Sequence, residues 1–296
     1  MLVTVVSANV LDLYKDSAEE DRYRQVEELL RAVGPDILAV QEIISDGATR
    51  AEKLPGAIAG LRRLAEATGL RADIDGDPLV AVGGIMHHPA ILYRDCPQIR
   101  PRTGSVERLE RDRADMWHAA VSAVFELDGH PVRVVSTQLS PFDQQRNISD
   151  ANQLLRAVLK DGIPGLLGGD FNCVGSDPGY DPDPYHGPDA TVWHPDHVHH
   201  VDEHGQVDRR PAIRLERIGR LRDCAISLGV DHVDTTGHHP RDNQPPRRID
   251  RWYATHHLPR AALHAFDVIG LDRLRFGDSW LSDHRPIRLT IDTAGL

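Results

Sequence analysis

The sequence predicts an α/β sandwich built on two mixed sheets. Strand-like alternation and helical spacing follow one another along 296 residues, a length that one layered domain can fill. Several adjacent strand candidates are joined by hairpin-length turns, which argues against a doubly wound parallel sheet. No repeat and no clear linker divides the chain.

The elements follow in order. "VTVVSANV" reads as a short strand ending at Asn9. Ser17 is placed to cap a helix running to Val33, with Tyr23, Val26, Leu29, Leu30 and Val33 at helical spacing and Gly34-Pro35 ending it. "DILAVQE" is a buried strand that finishes in polar residues, and "AIAGLRRLAEATG" is a helix closed by glycine. His87-His88 ahead of the strand "AILYR" reads as a turn rather than a ligand pair. "WHAAVSAVFEL" and "PVRVVSTQL" are strands joined by the tight turn "DGH". Residues 149–160 form a helix with Leu154, Leu155, Val158 and Leu159 inward. "GLLGGDFN" is the next strand, and "RRIDRWYAT", "LHAFDVIG" and "HRPIRLTI" close the chain. Between about 176 and 212 the pattern gives way to Pro, Asp, Gly and His. Long loops of this kind in compact domains often serve as lids or mobile segments.

Composition narrows the function. No apolar run approaches the roughly 20 residues needed to cross a bilayer. The start "MLVTVVSANVLDLY" lacks a basic n-region and a cleavage site, so it reads as a strand rather than a signal peptide, and a cytoplasmic location is the default expectation. Cys96, Cys173 and Cys224 stand far apart in no metal spacing, which suggests free thiols in a reducing compartment. A net charge of −11 argues against broad, charge-driven binding to nucleic acid. Clustered acids are also what a divalent cation needs. The basic residues are nearly all arginine, whose fork suits phosphate, although a biased codon usage produces the same excess.

Polar residues collect at strand ends. Asp170 and Asn172 are two apart and share one side of an extended segment, while Phe171 faces the other. An Asx turn is the plainer reading of the same residues. Asn9, Gln41 and Glu42, and Gln138 end three other strands, and Ser282, Asp283 and His284 precede the last. On one edge of a sandwich these ends would surround a hollow with carboxylates, amides and an imidazole. Hard oxygen donors with neutral amides suit Mg²⁺ or Mn²⁺ rather than zinc. A carboxylate there could activate water, and a histidine could donate to a phosphoryl oxygen.

The ordered set "SANV", "LAVQE", "STQLSP", "GGDFN", "RRIDRWY" and "LSDHRPI" resembles the endonuclease/exonuclease/phosphatase superfamily, over residues 3–291. That superfamily includes deoxyribonucleases, abasic-site endonucleases, inositol-polyphosphate phosphatases and sphingomyelinases. The resemblance implies a four-layered α-β-β-α sandwich with two mixed, mostly antiparallel sheets, formed by a single domain over residues 1–296 with an insertion near 176–212. It implies that Glu42 ligates the cation, with Asp283 near it and Asn9 holding the metal or a phosphate oxygen. Asp170 would take a proton from the attacking water and Asn172 would orient that water. His284 would hold or protonate a phosphate oxygen, and Asp250 would orient His284 and keep it charged. Gln138 stands where many members have histidine. Its amide can bind a phosphoryl oxygen but cannot carry a proton charge, so a changed leaving-group side and an unusual substrate are expected.

The implied activity is a Mg²⁺- or Mn²⁺-dependent hydrolysis of phosphoester bonds, first as a phosphodiesterase or nuclease on DNA. A phosphatase or phosphodiesterase acting on a small molecule or lipid headgroup is the alternative, and a non-catalytic binding protein on the same fold is the second. No obligate protein partner is evident. His194, His197, His199, His200 and His204 could bind zinc, but they read as a solvated loop or one draped over the site. Trp117, Trp193, Trp252 and Trp280 could stack on a base, with core packing the plainer role for Trp252.

Overall fold

The two-residue repeat of each strand sorts side chains into layers. In the computed structural model, which describes residues 1–186 and 194–296, β1 (Leu2–Leu13) sends Val3 and Val5 one way and Val6 and Ala8 the other. β2 (Ile37–Ile44) and β3 (His87–Tyr93) do the same with Ile37, Ala39, Ile91 and Tyr93 against Leu38, Val40, Ala90 and Leu92. The second sheet contains β4 (Ala119–Leu127), β5 (His130–Gln138), β6 (Gly165–Asp170) and β7 (Asp250–Ala254). Its inward residues Val121, Phe125, Val132, Val134, Leu166 and Trp252 meet those of the first sheet in a common core.

β8 (Leu263–Val268) and β9 (Ile287–Asp292) complete the first sheet, in the order β8-β9-β1-β2-β3. The second runs from Arg222–Asp223 through β7, β6, β5 and β4 to Ile99–Pro101, with Glu107–Leu109 also on β4. Each sheet holds one parallel pair, β1 with β2 and β5 with β6. A parallel pair needs a crossover, and a helix supplies each. α1 (Glu20–Val33) covers the outer face of the first sheet through Tyr23, Val26, Leu30 and Val33. α2 (Arg50–Thr68) joins it through Ala57, Leu61 and Leu64. α3 (Gln144–Val158) covers the second sheet through Ala151, Leu154, Leu155 and Val158. The four layers and two mixed sheets are therefore those the resemblance implies.

Several boundaries differ from the sequence reading. β1 does not stop at Asn9 but runs to Leu13 through an irregular register, with Leu11 and Asp12 at φ of 47° and 48°. Asp16, not Ser17, caps the segment before α1, accepting from Ala18 N. α2 begins at Arg50 behind a Thr49–Glu52 capping box, which Pro55 and Gly56 disguise in the sequence. α3 begins five residues before position 149 because its first turns bury the polar Gln144, Asn147 and Asp150. His87 and His88 form no turn; they open β3.

The insertion is tied down at Asp181. Asp181 is 1% exposed and accepts two 2.8 Å bonds from Arg248, with Arg251 at 3.5 Å. Burial alone would raise its pKa, but Arg251, His232 and Arg248 outweigh burial and hold it well below the usual carboxylate range. Its ionic contribution is thus complete above the ordinary aspartate range and fades only in strong acid. Trp193 lies outside the described residues. The three cysteines are free. Asp181→Asn leaves two buried guanidinium groups short of charge. It is expected to lower the unfolding free energy by about 3 kcal/mol, read as an earlier urea midpoint at unchanged slope.

Candidate active site

The inner face of each sheet changes character toward one edge. Along β1 it runs Val3, Val5, Ser7, Asn9, and along β5 it runs Val132, Val134, Ser136, Gln138. β6 reads Leu166, Gly168, Asp170, and β7 read backwards gives Ala254, Trp252, Asp250. A small polar layer separates core from edge. Gln41 Nε2 donates to Ser136 Oγ at 3.0 Å, and Ser136 Oγ donates to Val40 O at 3.0 Å. The paired glycines of "GLLGGD" have a packing cause. A Cβ on Gly168 would lie 2.6 Å from the Trp252 ring, and one on Gly169 would lie 2.0 Å from Thr137 O. In register, Asp170 stands between Gln138 and Asp250.

Two residues adopt left-handed backbone to reach the same edge, Glu42 at φ 71° and Asn172 at φ 47°. Asparagine tolerates this region, whereas glutamate there is strained and is held by its surroundings. Glu42 Oε1 accepts from Asn9 Nδ2 at 2.9 Å and from Gln138 Nε2 at 2.8 Å, and its Oε2 accepts from Asp12 N at 3.1 Å. Asp170 Oδ2 accepts from Asn172 Nδ2 at 3.1 Å and Asn9 Nδ2 at 3.3 Å, and its Oδ1 accepts from Asn172 N at 2.9 Å. Asn172 is fixed by donating to Leu139 O at 2.9 Å. His284 Nδ1 lies 2.8 Å from Asp250 Oδ2. Ser282 Oγ donates to Asn9 O and accepts from His284 N, tying this last loop to β1.

The structure thus brings Asn9, Glu42, Gln138, Asp170, Asn172, Asp250 and His284 into one hollow. Asp283 sits beside them, but its buried Oδ1 makes no hydrogen bond. Gln138 spends its amide N–H on Glu42, and its buried Oε1 has no partner. Burial pushes Asp170 up to about 7, aided by Asp250 and Glu42 and opposed by His284. Burial and Glu42 raise Asp283 as well. Burial opposes a charged His284, yet Asp250, Asp283 and Asp170 hold it well above the usual imidazole range. The hollow is rich in carboxylate and amide oxygens, a chemistry that suits a hard divalent cation.

Sequence reasoning passed over Asp12 and set His87 aside as a turn residue. His87 Nε2 lies 3.0 Å from Asp12 Oδ1 and 4.0 Å from Glu42 Oε2. Parity with Ile91 and Tyr93 along β3 was the available signal for His87. Asn147 was missed too, although its amide donates to Phe171 O at 2.8 Å and braces the Asp170–Asn172 turn. Of the two readings of the histidine-rich stretch, the loop draped beside the site agrees better with the structure: His197 and His200 are buried, His199 Nδ1 meets Phe142 O at 2.6 Å, and His199 and His200 line the cavity that Asn172 and His284 also line. Among the described residues, no potential metal group includes them. The hollow opens into a cavity of about 330 Å³ lined by Asn172, Asp283 and His284 on one side and Phe142, His199 and Arg247 on another.

A four-layer sandwich carrying this donor set is a phosphoesterase scaffold of the metal-dependent class. The model of the Endonuclease/Exonuclease/phosphatase family matches residues 6–284, so the chain belongs to that family. No curated protein matches the sequence. Solved structures share the fold at low identity. D. rerio TDP2 complexed with a single-strand DNA product is 16% identical at a TM-score of 0.63, covering 99% of each chain. Truncated Caenorhabditis elegans TDP2 is 16% identical at 0.62, covering 98% of this chain and 97% of that one. A mannosyl-6-phosphatase of Bacteroides thetaiotaomicron is 14% identical at 0.60, covering 98% and 99%. Among the described residues, no helix is long and apolar enough to cross a membrane.

The Asp250–His284 contact makes a direct prediction. In metal-free protein the His284 ring resonances should stay nearly constant between about pH 6 and 8, and should titrate within that window in Asp250→Asn. Histidine NMR reads both.

Proposed function

We propose that the chain hydrolyses a compact phosphoester in a divalent-metal-dependent reaction. The observation that carries the reading is the hollow itself, in which Asp170, Asn172, Asp250 and His284 lie beside Glu42, with Asn172 and His284 also lining an open cavity. A cation held there supplies Lewis-acid polarisation of the phosphoryl group. Asp170 accepts a proton from the attacking water, and Asn172 fixes the carboxylate that does so. The water oxygen bonds to phosphorus, the P–O ester bond breaks, and the leaving oxygen takes up a proton from solvent. His284, anchored through Nδ1 by Asp250, offers Nε2–H to a phosphoryl oxygen as negative charge develops. Mg²⁺ and Mn²⁺ both fit the oxygen donors.

The cavity volume favours a small phosphoester over a polymer, because it matches the lower range of small-molecule sites. The net charge of −11 points the same way. This reverses the order in which the sequence ranked the substrates. DNA stays as the second reading on one observation. Trp117, Phe142 and His199 form an edge-to-face aromatic row beside the cavity, with Arg111 and Arg146 over Trp117. Such rows suit stacked bases.

A hydrolysis screen with small phosphomonoesters and phosphodiesters beside plasmid and single-stranded DNA tests the proposal. Turnover of small esters is expected to stop with EDTA and to fall about a thousandfold in Asp170→Asn. Cleavage confined to DNA would establish the second reading. Turnover that survives Asp170→Asn would remove Asp170 as the proton acceptor, and metal-loaded protein that turns over none of these esters would remove the hydrolase assignment.

A further inference from the structure

We infer that Asp12, Glu42 and His87 form a mixed nitrogen–oxygen cation site, through which this hollow prefers a first-row transition ion to Mg²⁺. The inference rests on the metal-dependent reading of the same hollow and adds donors to it. One ligand atom from each of the three residues lies within 4.8 Å of the others. Donors about 2.1 Å from a shared ion stand about 3–3.5 Å apart, and the 3.0 and 4.0 Å separations of His87 Nε2 from Asp12 and Glu42 bracket that spacing.

Three strands depart from regularity to assemble the site. The register of β2 shifts against β1 and against β3 at the same place, around Glu42. β1 turns through left-handed Leu11 and Asp12, and Arg22 Nη2 donates to the freed Leu11 carbonyl at 2.7 Å. His87 enters at the start of β3, opposite Ile44. Lys15 binds Asp12 through Oδ2, which leaves Oδ1 facing His87. Without an ion, His87 Nε2–H donates to Asp12 Oδ1, and Nδ1 makes no hydrogen bond; moving the ring proton to Nδ1 would leave Nε2 a lone pair for a cation that takes the proton's place.

Two further atoms near Glu42 support a cation. Gln138 is 3% exposed and bonds Glu42, yet its Oε1 is unpartnered, as is Asp283 Oδ1. Both are buried acceptors without a donor, next to carboxylates outnumbering the nearby imidazoles. An all-oxygen set would serve Mg²⁺; an imidazole in the set shifts preference toward transition ions.

The test uses the whole chain stripped of metal, loaded with Mn²⁺, and followed by electron paramagnetic resonance. Nitrogen hyperfine coupling on bound Mn²⁺ is expected in the native protein and is expected to vanish in His87→Gln. Mn²⁺ affinity should drop about tenfold in that variant, while Mg²⁺ affinity, measured by competition, stays within about twofold. A variant melting like the native protein shows that the fold is intact. If it does not, Asp12→Asn should lower Mn²⁺ affinity while the nitrogen coupling persists. Mn²⁺ that binds without nitrogen coupling, coupling that survives His87→Gln, or equal losses for both ions would overturn the inference. Metal-dependent hydrolysis without nitrogen coupling would remove this site alone, and nitrogen-coupled Mn²⁺ without hydrolysis would remove the proposed function alone.

Discussion

One oxygen of Glu42 accepts hydrogen bonds from Asn9 of the first sheet and Gln138 of the second. That shared acceptor bridges the two sheets where their apolar filling ends. It also sets the electrostatic problem the region must solve. Asp12, Glu42, Asp170, Asp250 and Asp283 crowd one edge of the sandwich, and like charges held close in partial burial repel. Amide donors from Asn9, Gln138 and Asn172 offset part of this, and His284 and His87 offset more. The remainder favours proton uptake at Asp170, and a cation among the neighbouring carboxylates would lessen that pull.

The layered fold was legible in the sequence because its cause is local. Alternation along "VTVVSANV" and "PVRVVSTQL" tells which residues meet in the core. Where that alternation ran into polar residues, the sequence pointed to the edge of the sheets, and Asn9, Gln138, Asp170 and Asp250 lie on that face. What stayed hidden depended on contacts distant in the chain. Asp12 joins the hollow only because β1 continues irregularly past Asn9, and β2 must deform beside it. His87 read as part of a turn because Pro89, two residues on, disguises the start of β3. The early turns of α3 carry polar residues that look solvent-facing, but Gln144 and Asn147 donate to the backbone of Phe171 and Asn172, and Asp150 accepts from Trp117 N and Ser140 N.

The 176–212 segment illustrates a different limit. Its composition suggests a solvated loop, yet Asp181 is buried against Arg248 and Arg251 on either side of Asp250. The arginines flanking a residue of the site are thus fixed by an acid from the insertion. Substitutions in the insertion can therefore reach the Asp250–His284 pair without touching the cavity.

The pairing of β1 with β9 also bears on how the protein comes to be folded. Val3 pairs with Ile291, and Ser282 bonds the carbonyl of Asn9. A ribosome releasing this chain delivers the first strand long before its neighbour, so the first sheet stays incomplete until the last strand emerges. Until then the acids of β1 and β2 lack His284 and Asp283, and the edge of β1 is open to other strands. Such long-range pairing slows folding, because loop-closure entropy must be overcome before the contacts form. Assembly of the site and closure of the sheet thus become one late event.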